Sequence, residues 1–178
     1  MSDSQAVHQA LEPRKIRGVN MEGLKTLIQK EVGRFLNVYT QTIVAPVMTT
    51  LLFFAVFSLA LGGVERMAGD LPFLEFLAPG LIMMTMVQNA FANTSSSIMI
   101  SKVQGNIVDV LMPPLSATEL LIGYAVGGVL RGLCVGLAAG IAMAFFIDFH
   151  IHAAWQIFIF AVLGTMMLSC LGIAGGIW

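Results

Sequence analysis

This sequence predicts an all-α, polytopic bundle of membrane helices, preceded by an amphipathic helix at the membrane surface. Three observations predict it. Hydrophobic residues make up 57% of the 178 positions and charged residues 11%, where a soluble domain carries roughly 25% charged residues. The apolar residues come in four long runs, each near or above the roughly 18 residues that suffice for a membrane span. Six of the nine Lys and Arg residues, Arg14, Lys15, Arg17, Lys25, Lys30 and Arg34, precede the first of these runs. A mean hydropathy of +0.87 agrees.

Residues 1–20 are polar, mixed in charge and aperiodic, and are expected to form a cytoplasmic tail. From 21 to 37 the pattern changes. Met21, Leu24, Leu27, Ile28, Val32, Phe35 and Leu36 recur at helical spacing, with Glu22, Lys25, Gln29, Lys30 and Arg34 on the other side. An apolar stripe opposite basic residues suits a helix lying in the membrane interface; a short helix packed on a partner is the alternative.

The first span is expected over about 41–63, with Pro46 near its start, where a missing N–H does least harm. A loop with Glu65, Arg66, Asp70 and Pro72 leads to the second span, about 75–100. A polar connection, 101–117, precedes the third span, about 119–147. A short loop then leads to the fourth, about 153–178. Short loops keep Lys and Arg on the cytoplasmic side. The segment before the first span carries six, whereas the next loop carries Arg66 beside Glu65, Asp70 and Glu75. The amino terminus and the 101–117 connection are therefore expected inside, and the loop at 148–152 outside.

Much chemistry is excluded. There is no G-x-x-x-x-G-K-[ST] phosphate loop, no H-E-x-x-H or Cys-x-x-Cys metal pattern and no G-x-S-x-G elbow. A net charge of −1 gives no footprint for nucleic acid. Cys134 and Cys170 lie inside apolar runs without metal-site spacing. Asp148, His150 and His152 form too sparse a set for a metal site. No catalytic, cofactor or metal site is expected.

Four features carry functional expectations. In the inner connection, Asn106 to Met112 fits two helical turns, with Ile107, Val110 and Leu111 as an apolar face and Asp109 beside them. Pro113 and Pro114 end it, and Ser116-Ala117-Thr118-Glu119 spells a capping box that starts the third span. Such a helix, joined to two spans, is a lever for a partner protein or a loop resting on the membrane. Gly128, Gly132, Gly136 and Gly140 recur every four residues and form a face another helix can approach closely; Gly172 and Gly176 make a shorter seam. Arg131 stands deep in the third span, where a charge costs at least ~2.5–3.5 kcal/mol. It either meets an anionic substrate group or subunit interface, or ties down polar groups of the second span. That span carries a stripe of Thr85, Asn89, Asn93 and Ser96 or Ser97, with Gln88 beside it, readable as a pathway wall or as interhelical glue.

Several pieces also occur together in order: Leu27-Ile28-Gln29-Lys30-Glu31-Val32-Gly33-Arg34-Phe35, then Phe76-Leu77-Ala78-Pro79-Gly80, then Gln88-Asn89-Ala90-Phe91. Next come Gly105-Asn106-Ile107-Val108-Asp109-Val110-Leu111-Met112-Pro113-Pro114-Leu115-Ser116 and Gly127-Gly128-Val129-Leu130-Arg131-Gly132. Across residues 21–178 the sequence resembles the permease subunit of ABC type-2 transporters, a group of bacterial exporters of drugs, polysaccharides and lipid-linked glycans. The resemblance implies an inner-membrane permease homodimer among lipids, a separate ABC ATP-binding subunit that holds the ATP, and a coupling helix at Asn106, Ile107, Asp109, Val110 and Leu111. It leaves Arg131, Gln88, Asn89 and Asn93 as candidates for substrate or interface contact. Members have six spans, so the resemblance also implies two spans beyond the four read here, and a four-span chain is expected to be incomplete. The alternatives are a membrane assembly or anchoring subunit and a truncated permease without transport. An ion-driven carrier would need a carboxylate deep in a span, and none of the four predicted spans has one away from its ends.

Overall fold

The computed structural model describes residues 18–61, 67–68, 71–147 and 153–178. Helix α1 covers Met21–Asn37, and a π-helical turn, Thr40–Val44, leads into α2, Ala45–Leu61. Strands β1, Met67–Ala68, and β2, Leu71–Pro72, form a two-residue antiparallel ladder that pairs Met67 with Pro72. Helix α3 covers Phe73–Val103, α4 Ile107–Leu111, α5 Ala117–Ala144 and α6 Ala154–Ile177. Four helical stretches among the described residues, those built on α2, α3, α5 and α6, are long and apolar enough to cross a membrane. The expected tail at 1–17, the loop residues Glu65, Arg66 and Asp70, and the Asp148, His150 and His152 group lie outside the described residues.

The sequence explains the element ends. The side chain of Asn20 caps α1, accepting from the Gly23 N–H at 3.0 Å. At its other end Thr42 donates its hydroxyl to the Phe35 carbonyl at 2.6 Å, satisfying an orphan acceptor of the last turn. Pro46 lies near the start of its span as expected, at the second position of α2, and helical winding begins at Thr40. The π turn spans the carbonyls that a proline ring crowds in an α-helix, which accommodates Pro46 inside a continuous rod. Helix α3 overruns its expected end and reaches Val103, stopping short of Gly105, whose φ of +74° lies in the left-handed region that glycine adopts without strain.

The capping box at the start of α5 forms as read. The Glu119 N–H donates to Ser116 Oγ at 3.3 Å, and the Ser116 N–H donates to Glu119 Oε2 at 2.6 Å. Replacing Ser116 by alanine is expected to lower stability by about 0.5–2 kcal/mol. An unchanged unfolding midpoint in detergent would show that the cap contributes nothing.

Helix α3 is the centre of the bundle. It packs most extensively on α6 and α5, while α2 lies against α3 and α5, and α1 runs along the first turns of α5. Two apolar clusters close the ends. Near α4, Leu27, Ile98, Tyr124, Ala125 and Ile173 meet, with Val110 and Leu115 against them. At the opposite end Phe54, Ala78 and Met143 are buried together. Between these plugs many of the contacts are made by small and polar side chains, with Met86 and Val135 buried among them.

Candidate functional site

The first candidate is the α4 end. Asn106 begins α4 with no side-chain cap, and all of α4 retains some exposure. Ile107 and Val110 are half-buried, and Val110 packs on the cluster around Leu27 and Tyr124. Leu111 lies on the expected apolar face but is exposed, together with Val108 and Met112. Residues 107, 110 and 111 share one side of this single turn, and of them Val110 is the one packed against the cluster. Asp109 is exposed and borders the cleft toward α1. Between α4 and α1 lies a cleft of about 410 Å³ bordered by Thr26, Lys30, Asn106, Asp109 and Pro113.

The start of α1 is fastened to the same place. The Asn20 N–H donates to Glu119 Oε1, and Asn20 Nδ2 donates to the Pro114 carbonyl at 3.3 Å. Gly23 lies under Leu115 and Gly123 under Leu27, so closely that a Cβ on either would overlap its neighbour. Helices α1 and α5 and the Pro113–Ser116 turn thus form one packed unit that carries α4.

The second candidate is a polar seam along α3. The stripe that α1 buries is Leu27, Glu31 and Phe35, not the purely apolar set expected; Met21 and Leu36 are exposed. Glu31 has no exposed surface. Its carboxylate accepts from Ser97 Oγ at 2.6 Å, from Asn93 Nδ2 at 3.5 Å and from Arg34 Nη2 at 3.1 Å. Arg34 also donates to the Asn93 carbonyl at 2.8 Å, to Asn93 Oδ1 at 2.9 Å and to Ser96 Oγ at 3.5 Å. Gly127 makes room: a Cβ there would stand 2.7 Å from the Glu31 Cβ. Farther along the seam Arg131 Nη2 donates to Asn89 Oδ1 at 3.1 Å, and Thr85 meets Thr50 of α2 at 2.6 Å between hydroxyl oxygens.

Much of the stripe is therefore interhelical glue, with Asn93, Ser96 and Ser97 holding α1 to α3. Gln88 is exposed on the same helix. The sequence reading missed Glu31. The signal was available, because Glu31 lies four residues from both Leu27 and Phe35, on the stripe itself, with Arg34 three residues on. Among the described residues, four buried polar side-chain atoms have no hydrogen-bond partner: Arg34 Nε, Tyr124 Oη, Arg131 Nε and Ser169 Oγ.

The third feature is the glycine face of α5. A Cβ on Gly128 would come within 2.8 Å of Thr94 Cγ2 and 3.0 Å of the Ala90 carbonyl oxygen. On Gly132 it would come within 2.8 Å of Thr165 Cγ2 and 2.9 Å of the Met86 carbonyl oxygen. Gly136 takes the Met86 side chain. Gly140 departs from the expectation: nothing lies within 4 Å of where its Cβ would be. Gly172 and Gly176 receive the backbone of α3 near Phe91 and Ser95, and Thr94 donates to the Ser169 carbonyl at 3.0 Å, so α6 joins the same seam.

Residues 22–178 match the family described as ABC-2 type transporter. Curated relatives include the inner membrane transport permease YadH of Escherichia coli (strain K12) and that of Shigella flexneri. Each is 35% identical over 155 residues, which is 87% of this chain and 60% of the relative. The chain thus spans about 60% of the length of these relatives. No solved structure matches it.

Proposed function

Because this chain belongs to the ABC-2 type transporter family, we propose that it is the membrane-spanning permease subunit of an ATP-driven exporter of the bacterial inner membrane. Two copies line a path for a drug-, lipid- or glycan-type molecule, and a separate ABC ATP-binding subunit binds and hydrolyses the ATP. The amino terminus and α4 face the cytoplasm, in keeping with the basic residues ahead of α2.

The observation that carries this reading is the mounting of α4. It leaves Val108, Asp109, Leu111 and Met112 exposed. Behind it, short connections join α3 and α5, and Val110 rests on α1 and α5. A push on α4 therefore reaches two spans and the α1 body together. ATP binding on the partner biases the permease only through contacts that differ between its two states, and a short exposed helix without an independent core suits that task.

The test is uncoupling. Val108→Pro pushes Ile107 out of the helical region at the start of α4, and Asp109→Lys reverses its exposed charge. Each is expected to lower transport per ATP hydrolysed by roughly tenfold in the reconstituted complex, the middle of the usual range for coupling between sites, with the ATP-binding subunit still bound. Transport at the wild-type ratio in both variants would refute the coupling role. A wild-type complex that assembles but moves no cargo would instead favour an anchoring subunit.

A further inference from the structure

The middle of the bundle holds more cation than anion. Asn89 and Asn93 stand one turn apart on one face of α3, and each carboxamide oxygen accepts from a different arginine. Two guanidinium groups are thereby bonded to amides on successive turns of α3, whose backbone positions lie about 6 Å apart along the helix axis. The carboxylate gathered with them is that of Glu31, and Arg34, Ser97 and Asn93 already occupy it. Among the described residues Arg131 has no carboxylate within 4.0 Å. One of its N–H groups serves Asn89, while its Nε is buried without a partner. A guanidinium presents five N–H donors and keeps its charge. A charge so placed calls for a counter-anion.

The surroundings indicate what kind of anion. Arg131 is half-buried, and Gln88, one position before Asn89 on α3, is exposed. Leu130 and Leu137 on α5 and Met84 on α3 are exposed nearby along the helices and offer apolar surface. Arg131 lies 14 residues from Ala117 and 13 from Ala144, about 20 Å from either end of α5. We propose that Arg131, with Asn89 and Gln88, binds the phosphate or carboxylate of an anionic amphiphile. The phosphate of a resident bilayer lipid sits at the edge of a hydrocarbon core about 30 Å thick, so this depth favours a molecule in transit. That preference rests on the exporter reading; the anion site does not.

Native mass spectrometry of the detergent-solubilised permease with its ATP-binding subunit tests the site, with dodecyl phosphate as probe and dodecyltrimethylammonium as control. Wild type is expected to retain dodecyl phosphate and not the ammonium. Arg131→Gln is expected to bind the phosphate about tenfold more weakly or worse, and Arg131→Lys to recover much of the difference. Equal retention of the two amphiphiles by wild type would overturn the proposal, whether or not the variants fold. So would equal phosphate binding by wild type and a folded Arg131→Gln. The source is read in vesicles of phosphatidylcholine and phosphatidylglycerol. ATP turnover raised by dodecyl phosphate in wild type alone supports cargo. Phosphatidylglycerol co-purifying with wild type but not Arg131→Gln, without such stimulation, supports a resident lipid. Failure of coupling through α4 would leave phosphate binding intact, so the two readings fail separately.

Discussion

Replacing Arg34 by alanine is expected to cost the bundle about 3–5 kcal/mol, and adding Glu31→Gln to the same chain is expected to return most of it. Glu31 is fully buried between α1, α3 and α5, and Arg34 is its one ion-pair partner at 3.1 Å among the described residues. Removing the guanidinium strands a carboxylate that Ser97 and Asn93 alone must neutralise. A glutamine keeps an oxygen for the Ser97 hydroxyl and needs no counter-charge. The cost of Arg34→Ala should therefore shrink sharply in the Glu31→Gln background. Unfolding midpoints in detergent for the two single variants and the double variant close the cycle. Additive losses would mean that the pair does not hold α1 to the bundle.

The second large effect concerns two glycines that look alike in sequence. Gly132→Leu is expected to leave no monodisperse protein, and Gly132→Ala to cost about 1–3 kcal/mol through overpacking. The reason is a neighbour that cannot rotate away: the Met86 carbonyl oxygen lies 2.9 Å from the position of the new Cβ. Gly140→Ala is expected to change stability by less than about 0.5 kcal/mol, since nothing lies within 4 Å. Size-exclusion profiles and unfolding midpoints of the three variants decide this. Equal sensitivity at 132 and 140 would mean that close α3–α5 approach is not what the glycines serve.

These cases show how far the residues alone could lead. Span existence and order follow from runs too apolar and too long for anything but buried or lipid-facing helix, and each observed helix falls close to its expected place. Local chemistry was legible as well: the Ser116–Glu119 cap depends only on residues three apart, and it forms. What was not legible is partner choice across the bundle. Asn93 could have lined a path or tied helices together, and its spacing gave no sign that α1 would come close enough, beside Gly127, for Glu31 and Arg34 to bond it. Gly140 keeps the spacing of its neighbours, but spacing cannot report that no side chain or backbone approaches it. Glu31 was passed over because a charged residue on an amphipathic helix suggests its wet face; its register with Leu27 and Phe35 was the better guide.

The seam also clarifies how α1 relates to α4. Asn20 is bonded at the start of α5, Leu27 lies over Gly123 and Glu31 over Gly127, so α1 lines α5 for about two turns. Motion of α4 that tilts α5 must carry α1 with it or break the Glu31–Arg34 tie. The Arg34→Ala variant should consequently impair coupling as well as stability.

One labelling experiment bears most directly on the account as a whole. Single cysteines are placed at Asp109 and at Trp155, in a chain whose Cys134 and Cys170 have been changed to serine, and a membrane-impermeant maleimide is applied to spheroplasts and to inverted vesicles. The account predicts that position 109 reacts in inverted vesicles alone and position 155 in spheroplasts alone. Reaction of position 109 in intact spheroplasts would put α4 on the wrong side of the membrane for any ATP-binding partner and would contradict the account.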